Sequence, residues 1–174
     1  ALSGEKTPRL LANDGGKSLL AEVPGEDLHE PAPEQRLKMV SLLVAMQARW
    51  AQRQEELMGL GLPDWRASAL ESLIRDAIFR TGAELAGHDR ETLARFADEL
   101  PGRFDAVAAC GISDTLVHGD FHPGNFRGHG DQLTLLDWGD SGLGHPLLDQ
   151  PTFLERAPDS QFSAIREHWH RSMK

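Results

Sequence analysis

The chain has 174 residues, of which 40% are hydrophobic and 26% are charged, and its formal net charge is −9. These fractions are typical of a folded globular domain rather than a disordered chain. The negative charge argues against a nucleic-acid partner, because phosphate backbones are bound by surfaces rich in Lys and Arg. No apolar run approaches the length that spans a bilayer, so we expect no membrane partner. Cys110 is the one cysteine and cannot form an internal disulfide, so we expect a cytoplasmic protein.

The first elements in chain order are predicted to be the two strands of a β-hairpin within residues 8–28. Two short apolar runs, residues 9–12 and 17–23, flank residues 13–16, whose Asp-Gly and Gly-Gly pairs are typical of tight turns. A Pro-Gly pair ends the second run, and two further prolines indicate a loop that leads into a helix.

Three helices are predicted to follow, over residues 34–57, over residues 65–86, and from residue 89 to about 110. Apolar residues recur there at steps of three and four, which is the period of an amphipathic helix. We expect Asp64 to cap the N-terminus of the second helix. We expect Pro101 and the glycine after it to break or kink the third helix.

Short strands replace the helical pattern in the last third of the chain. Residues 115–117 and 132–137 are predicted strands. Between them lie a polar loop at residues 118–124 and a Gly-rich turn at residues 128–131. We expect a β-hairpin over residues 115–137 that carries the polar residues of a site. A last helix is predicted over residues 159–172.

Three oxygen-bearing side chains stand at intervals that suit phosphoryl transfer. Asp120 precedes Asn125 by five residues, and Asp137 ends the second predicted strand. Such a site needs a carboxylate to orient or accept the proton of a hydroxyl, together with oxygen ligands for magnesium. Mg²⁺ takes one or two carboxylates and completes its shell with phosphate oxygens and water. Each of the three is also an ordinary turn residue, so the joint spacing carries the interpretation.

Residues 116–149 resemble the catalytic and metal loops of the aminoglycoside phosphotransferase and choline kinase-like family. The first family motif, His-Gly-Asp-x-x-x-x-Asn, is matched by residues 118–125. The second motif, Ile-Asp-Trp-x-x-x-x-x-Gly-x-Pro-x-x-Asp, is matched by residues 136–149, with Leu136 in the place of the isoleucine.

This resemblance implies a fold, a reaction and its cofactors. The expected fold is α+β, a protein-kinase-like large (C-terminal) lobe that is mostly helical, with a small catalytic β-hairpin and a remnant hairpin of the small lobe. The resemblance implies that Asp120 is the catalytic base and that Asn125 and Asp137 bind Mg²⁺. ATP or GTP would donate a phosphoryl group to a hydroxyl of a small molecule, either aminoglycoside-like or another cationic acceptor. Which acceptor is used, and the oligomeric state, cannot be read from these residues.

The same resemblance divides the chain into two parts. Residues 1–28 resemble the end of the small lobe with the hinge. Residues 29–174 resemble the helical large lobe, with the catalytic loop at residues 118–125 and the metal loop at residues 137–149.

The small lobe is expected to be incomplete. The resemblance places the backbones near Ala21 and Val23 against the adenine ring of the nucleotide. The Gly-rich loop and the strand Lys that contact nucleotide phosphates lie before this hairpin in the family, and only eight residues precede Arg9. We therefore expect a partial chain that by itself binds nucleotide weakly and turns over negligibly.

Four further polar residues near the two motifs have less specific interpretations. His118 and Asp149 are expected to brace the loops by hydrogen bonding rather than to take part in the chemistry. His122 either approaches substrate or phosphate or faces solvent. Asp140 either assists with a second metal or a substrate amine, or is an ordinary turn residue.

Two alternatives to an active phosphotransferase stay open at this point. One is an inactive family member or binding module that keeps the large-lobe scaffold. The other is an unrelated helical domain whose acidic loop binds a metal for structural reasons. This last alternative predicts a metal affinity that nucleotide does not change.

Overall fold

The computed structural model describes residues 6–82 and 84–173. These residues form eight strands and six α-helices, and four short 3₁₀ helices lie between them. In chain order the elements are β1 (Leu10–Asn13), β2 (Ser18–Leu20), β3 (Glu26–Asp27), α1 (Pro33–Trp50), α2 (Gln54–Gly59), β4 (Asp64–Trp65), α3 (Ala67–Gly82), α4 (Gly87–Ala108), β5 (Thr115–Val117), β6 (Phe126–His129), β7 (Gln132–Leu135), β8 (Gly142–Gly144), α5 (Gln150–Glu155) and α6 (Phe162–Ser172). Within the described residues, no helix combines the length and the apolar character needed to cross a membrane.

Helix α1 lies at the centre of the main core. Its buried stripe of Met39, Val40, Leu43 and Val44 packs with residues of β6, β7, α5 and α6. Three aromatic rings, those of Phe121, Phe153 and Trp169, extend this core, with ring centroids 4.8 Å apart for Phe121 and Phe153 and 5.7 Å apart for Phe121 and Trp169. Phe121 belongs to the loop after β5, so burial of its ring anchors that loop in the core. Removing such a ring typically destabilises a protein by about 3–5 kcal/mol.

The strands form three small sheets. Strands β1 and β2 pair antiparallel, which confirms the predicted hairpin at the start of the chain. The strand order of the second sheet is β3-β6-β7, and that of the third is β4-β8-β5. In the third sheet β5 and β8 are antiparallel, with Thr115 opposite Gly144 and Val117 opposite Gly142. The segments that follow β5 and precede β8 therefore lie at the same end of this sheet.

The prediction of one hairpin over residues 115–137 is wrong about which strands pair. Strand β5 pairs with β8, and β7 pairs instead with β6, a strand that the sequence analysis assigned to loop and turn. The turn itself is confined to Gly130 and Asp131, and Gly130 has a φ of +54°, a left-handed conformation that glycine adopts without steric strain. Residues 126–129 have the alternating burial of a strand but too short a run to be recognised by period alone.

Two of the predicted helices have different boundaries in the structure. The helix predicted over residues 34–57 is two helices, α1 and α2, because the chain turns after Trp50 and thereby brings both Trp50 and Leu57 into one cluster with Leu116 and Leu143. The second helix begins at Ala67 rather than 65, because Asp64 and Trp65 pair with β8. Asp64 is therefore not its N-cap.

The predicted break at Pro101 does not occur, and a kink there stays a prediction. Helix α4 runs without interruption from Gly87 to Ala108. Pro101 is exposed, whereas its neighbour Leu100 and Ala97 one turn earlier are buried. Packing of the apolar face thus outweighs the hydrogen bond that proline cannot donate.

Candidate active site

Asp149 fixes the loop that follows β5. The backbone N–H groups of His118 and Gly119 donate hydrogen bonds to its two carboxylate oxygens at 3.0 and 2.8 Å, and the side-chain amide of Gln47 donates to one of them at 3.1 Å. Asp149 is 1% exposed, and burial raises the pKa of its carboxyl to about 6, although these hydrogen bonds act to lower it. Asp149 thus braces the loop as predicted. Gln47 was missed, because a single polar residue on a helix carries no sequence signal.

His118 ties the same loop to the strand that leads to Asp137. Its ring is 0% exposed, Nδ1 accepts a hydrogen bond from the Asp120 backbone N–H at 3.3 Å, and Nε2 lies 2.8 Å from the carbonyl oxygen of Leu136. Because Nδ1 accepts, Nε2 carries the proton and donates to Leu136. Burial lowers the pKa of the imidazole, which favours the neutral ring. His118 therefore braces the loop, as predicted.

Asp120 and Asn125 are in direct contact. The Asn125 side-chain Nδ2 donates to the backbone carbonyl of Asp120 at 2.8 Å and approaches its carboxylate Oδ2 at 3.3 Å. These contacts commit the amide nitrogen of Asn125 and leave its Oδ1 for another partner. The Asp120 side chain is 42% exposed, so its carboxylate can be reached from solvent.

Asp137 is held beside this pair through the backbone of its neighbour. The Leu136 N–H donates to the carbonyl of Asn125 at 2.8 Å, and the Leu136 carbonyl accepts from His118. Asp137 itself is exposed and has a φ of +56°, which turns the chain sharply out of β7 into the 3₁₀ turn Trp138–Asp140. The three residues that the motifs predicted therefore lie on adjoining loops at one end of the β5–β8 sheet.

The oxygens at this end suit a cation that also binds phosphate. Among the described residues, no group of three or more His, Cys, Asp or Glu side chains is arranged to hold a metal ion. The groups present are instead the amide oxygen of Asn125 and the carboxylate of Asp137. This donor set fits Mg²⁺, which takes few protein ligands and relies on phosphate oxygens and water for the others. A cation here would therefore need further oxygen ligands besides these two side chains.

The amino-acid sequence matches the model of the phosphotransferase enzyme family over residues 2–171. The chain belongs to this family. The match includes both motifs and the helices before them, and it agrees with the resemblance that the two motifs carry. No curated protein matches the sequence.

Two solved structures have a similar fold. One is macrolide 2'-phosphotransferase MphH from Brachybacterium faecium as the apoenzyme, with a TM-score of 0.57 and 19% identity over 96% of this chain and 52% of that one. The other is a macrolide 2'-phosphotransferase type I, with a TM-score of 0.57 and 15% identity over 97% of this chain and 52% of that one. These likenesses confirm the predicted fold class, a protein-kinase-like large lobe. The chain spans about half the length of these two structures.

Trp65 of β4 also belongs to this site, and the two motifs do not include it. Its ring lies against two glycines, since a Cβ at Gly142 would come 2.6 Å from the ring and a Cβ at Gly119 would come 2.9 Å from it. A Cβ at Gly119 would also overlap the carbonyl oxygen of Asp140. The catalytic loop and the metal loop are thus in direct backbone contact. Gly119 was identified as part of the motif, but only the structure shows why a side chain is excluded there.

Ala21 and Val23, the predicted adenine contacts, lie between β2 and β3. The Ala21 N–H donates to the carbonyl of Arg9 at 2.8 Å, and the Val23 carbonyl accepts from the Arg127 Nε at 2.8 Å. Both backbones are therefore fixed, one to the first hairpin and the other to β6. Their contact with a nucleotide stays a prediction.

A cavity of about 500 Å³ lies at the opposite end of β5 from the catalytic loop. It is lined mainly by apolar side chains, with Asp114 and His145 among the polar ones. Burial raises the pKa of Asp114 and lowers that of His145. Asp120 and Asp137 do not line this cavity, so the groups that suit phosphoryl transfer lie outside it.

Proposed function

We propose that this chain forms the large-lobe part of an enzyme that transfers the terminal phosphoryl group of ATP or GTP to a hydroxyl of a small molecule. Membership of the phosphotransferase enzyme family supports the reaction class. The observation that carries the proposal is the contact between Asp120 and Asn125, which leaves a reachable carboxylate beside a free amide oxygen.

Asp120 is the proposed base. As the acceptor oxygen attacks the terminal phosphorus, the hydroxyl proton passes to the Asp120 carboxylate. The bond between that phosphorus and the bridging oxygen breaks, and the nucleoside diphosphate leaves with the electron pair. The hydrogen bonds that Asp149 accepts from the backbone N–H groups of His118 and Gly119 hold the Asp120 loop in place for this step. Positioning of this kind supplies much of the rate in phosphoryl transfer.

Asn125 and Asp137 are the proposed ligands of Mg²⁺. A bound magnesium ion would neutralise charge on the phosphates in the transition state. Asn125 contributes a neutral oxygen and Asp137 a charged one, so the two together leave positive charge for the phosphates. The backbone hydrogen bond between Leu136 and Asn125 fixes the spacing of the two ligands.

We propose an acceptor that carries a positive charge, such as an aminoglycoside-like compound or another amino alcohol. The support is electrostatic. The chain has a net charge of −9, and Asp140 is exposed beside the catalytic loop. A cleft of one charge sign concentrates ligands of the opposite sign.

The proposal is tested by measuring phosphoryl transfer with the full-length gene product. A panel of hydroxyl compounds, cationic and neutral, is incubated with ATP or GTP and Mg²⁺, and phosphorylated product is detected by ³¹P NMR. We expect transfer to at least one cationic acceptor and its loss in Asp120→Asn. Nucleotide binding with no transfer to any acceptor would favour the inactive binding module instead.

A second measurement distinguishes the proposed function from the alternative in which the acidic loop binds a metal for structural reasons. Mn²⁺ serves as a spectroscopic substitute for Mg²⁺, and its affinity is measured with and without a nucleotide. The proposal requires that the nucleotide strengthens Mn²⁺ binding, because phosphate oxygens complete the coordination shell. An affinity that the nucleotide does not change would contradict the proposed function.

A further inference from the structure

His122 is packed into the catalytic loop between Asp120 and Gly124. Its Nδ1 accepts a hydrogen bond from the Gly124 backbone N–H at 3.0 Å, and its Nε2 lies 3.4 Å from Oδ2 of Asp120. The side chain is only 17% exposed, so it does not simply face solvent. The motifs alone could not distinguish a loop residue in solvent from one that touches the site.

The hydrogen bond from Gly124 fixes which nitrogen of His122 carries the proton. A nitrogen that accepts an N–H has its lone pair in that direction, so the proton of a neutral ring sits on the other nitrogen. Nε2–H therefore faces the carboxylate of Asp120. A doubly protonated ring would lose the bond to Gly124.

The ring has little room to move. A Cβ at Gly124 would lie 2.9 Å from Cε1 of His122 and 3.1 Å from Nδ1 of His29, so two imidazoles lie close to the same glycine. Glycine at this position lets the His122 ring approach the backbone closely enough to accept from its N–H. The loop is thereby shaped to hold the ring in one orientation.

Both neighbouring donors approach the same oxygen of Asp120. Asn125 Nδ2 lies 3.3 Å from Oδ2 and His122 Nε2 lies 3.4 Å from it, while Oδ1 receives neither. The terminal torsion of an aspartate is broad and is not held by its own rotamer preference. The two N–H groups beside Oδ2 restrict this torsion, and neither of them lies on Oδ1.

We propose that His122 is a positioning residue, which holds the Asp120 carboxylate through Nε2–H so that Oδ1 faces the acceptor hydroxyl. This inference rests on the proposed function, since it assigns a role within that reaction. Asp120 remains the group that touches the proton, and His122 acts through it. Loss of His122 is therefore expected to lower kcat and to leave KM for nucleotide and acceptor nearly unchanged.

The contact itself is tested without any activity measurement. Long-range ¹H–¹⁵N correlation spectra of the ¹⁵N-labelled protein in alkaline buffer report which imidazole nitrogen carries the proton. We expect the Nε2–H form for His122, and a shift of its Nε2 resonance in Asp120→Ala. Asp131→Ala, an exposed residue in the turn between β6 and β7, is the matched control and is expected to leave it in place. The Nδ1–H form would overturn the proposal.

The role is tested by two substitutions that separate the contacts of the ring. His122→Asn keeps an acceptor near the Gly124 N–H but has no donor that reaches Asp120, whereas His122→Gln carries a donor at about the reach of Nε2. We expect kcat to fall roughly 10- to 100-fold in His122→Asn, the range for a misplaced reacting group, and to recover several-fold in His122→Gln. His168→Asn is the control, because its ring contacts Ser41 at 2.7 Å on α1, away from the loop.

The outcomes separate this inference from the proposed function. If His122 were only structural, His122→Asn would keep a higher kcat than His122→Gln, because Asn still accepts from the Gly124 N–H. That ranking of the two variants, with phosphoryl transfer still detected, would overturn the positioning role but not the proposed function. A wild-type protein with no transfer to any acceptor would overturn the proposed function and this role with it. The spectra would still show whether His122 contacts Asp120.

Discussion

The Asp149 carboxylate accepts a hydrogen bond from the Gly119 backbone N–H at 2.8 Å across a sequence separation of 30 residues. The last residue of the second motif thereby holds the second residue of the first motif. Asp149 contacts no substrate in the proposed reaction, and its place in the motif is explained by the two amides that it accepts from. Because this bond holds the loop that carries Asp120, the position of Asp120 depends on whether the buried Asp149 carboxyl is protonated.

We predict that Asp149→Asn lowers the free energy of unfolding. One of the two backbone N–H groups that bond to the carboxylate would face the amide NH₂ of asparagine, leaving buried donors without an acceptor. Such a loss typically destabilises by about 1–3 kcal/mol. Urea denaturation at pH 7.5 measures it, with Asp105→Asn, an exposed residue of α4, as the control.

We predict that the wild type and Asp149→Asn differ in how their free energies of unfolding change with pH. Burial raises the pKa of Asp149 to about 6, above the 3.8 of an ordinary Asp side chain, so the folded state binds this proton more tightly. As the pH falls from about 6 toward 4, the wild type gains stability relative to Asp149→Asn, by at most roughly 1.4 kcal/mol per pH unit. If the stability difference between the wild type and Asp149→Asn shrank on acidification, the hydrogen bonds rather than burial would dominate the pKa of Asp149.

Gly119→Ala is predicted to destabilise far more than an alanine at another left-handed glycine. Gly119 has a φ of +89°, and a Cβ there would overlap the Asp140 carbonyl oxygen. Gly130 has a φ of +54° with no atom within 4 Å of its would-be Cβ, so Gly130→Ala isolates the backbone strain. We expect the free energy of unfolding to fall by about 1–2 kcal/mol in Gly130→Ala. In Gly119→Ala we expect it to fall by about 1–3 kcal/mol more, with both losses measured by urea denaturation. Equal losses would show that the catalytic and metal loops separate without penalty.

Much of the fold could be predicted because helices and tight turns have local signals. The stripe of α1 has a clear period, and the Asp-Gly and Gly-Gly pairs located the first hairpin correctly. Two-residue strands such as β3 and β4 have no such signal. They form because a neighbouring strand offers partners, and that pairing is a tertiary property. Pro101 illustrates the converse, since a strong local breaker was overruled by packing.

The residues of the candidate site likewise differ in whether a local sequence signal identifies them. Asp120, Asn125 and Asp137 could be selected because the motif spacing is specific, and Asp149 because it ends the second motif. Gln47 and Trp65 could not, because they lie far away in sequence and contact the loops only after folding. The orientation of His122 also required coordinates, since it depends on which ring nitrogen meets the Gly124 N–H.

Asp120→Asn is predicted to abolish most turnover while leaving the fold and nucleotide binding intact. The substitution is nearly isosteric, and the bond from Asn125 to the backbone carbonyl of residue 120 does not depend on the carboxylate. Loss of a positioned general base typically lowers kcat by roughly 10²–10⁴-fold. With the full-length protein, steady-state kinetics give kcat, and isothermal titration with nucleotide gives the affinity. Asp105→Asn serves again as the control and should match the wild type in both.

Asp137→Asn is predicted to act on binding instead. A neutral amide offers the cation one oxygen and no charge, so the affinity for the magnesium–nucleotide complex should weaken at least roughly 10-fold, the lower end of the losses seen even for residues that only support a ligand. Titration of nucleotide at several Mg²⁺ concentrations measures this, and raising Mg²⁺ should restore part of the loss. Raising Mg²⁺ should not rescue Asp120→Asn. If both variants lost nucleotide affinity alike, or if excess Mg²⁺ rescued both, the division into a base and a metal ligand would be wrong, and Asp120 would have to be counted among the oxygens that hold the cation.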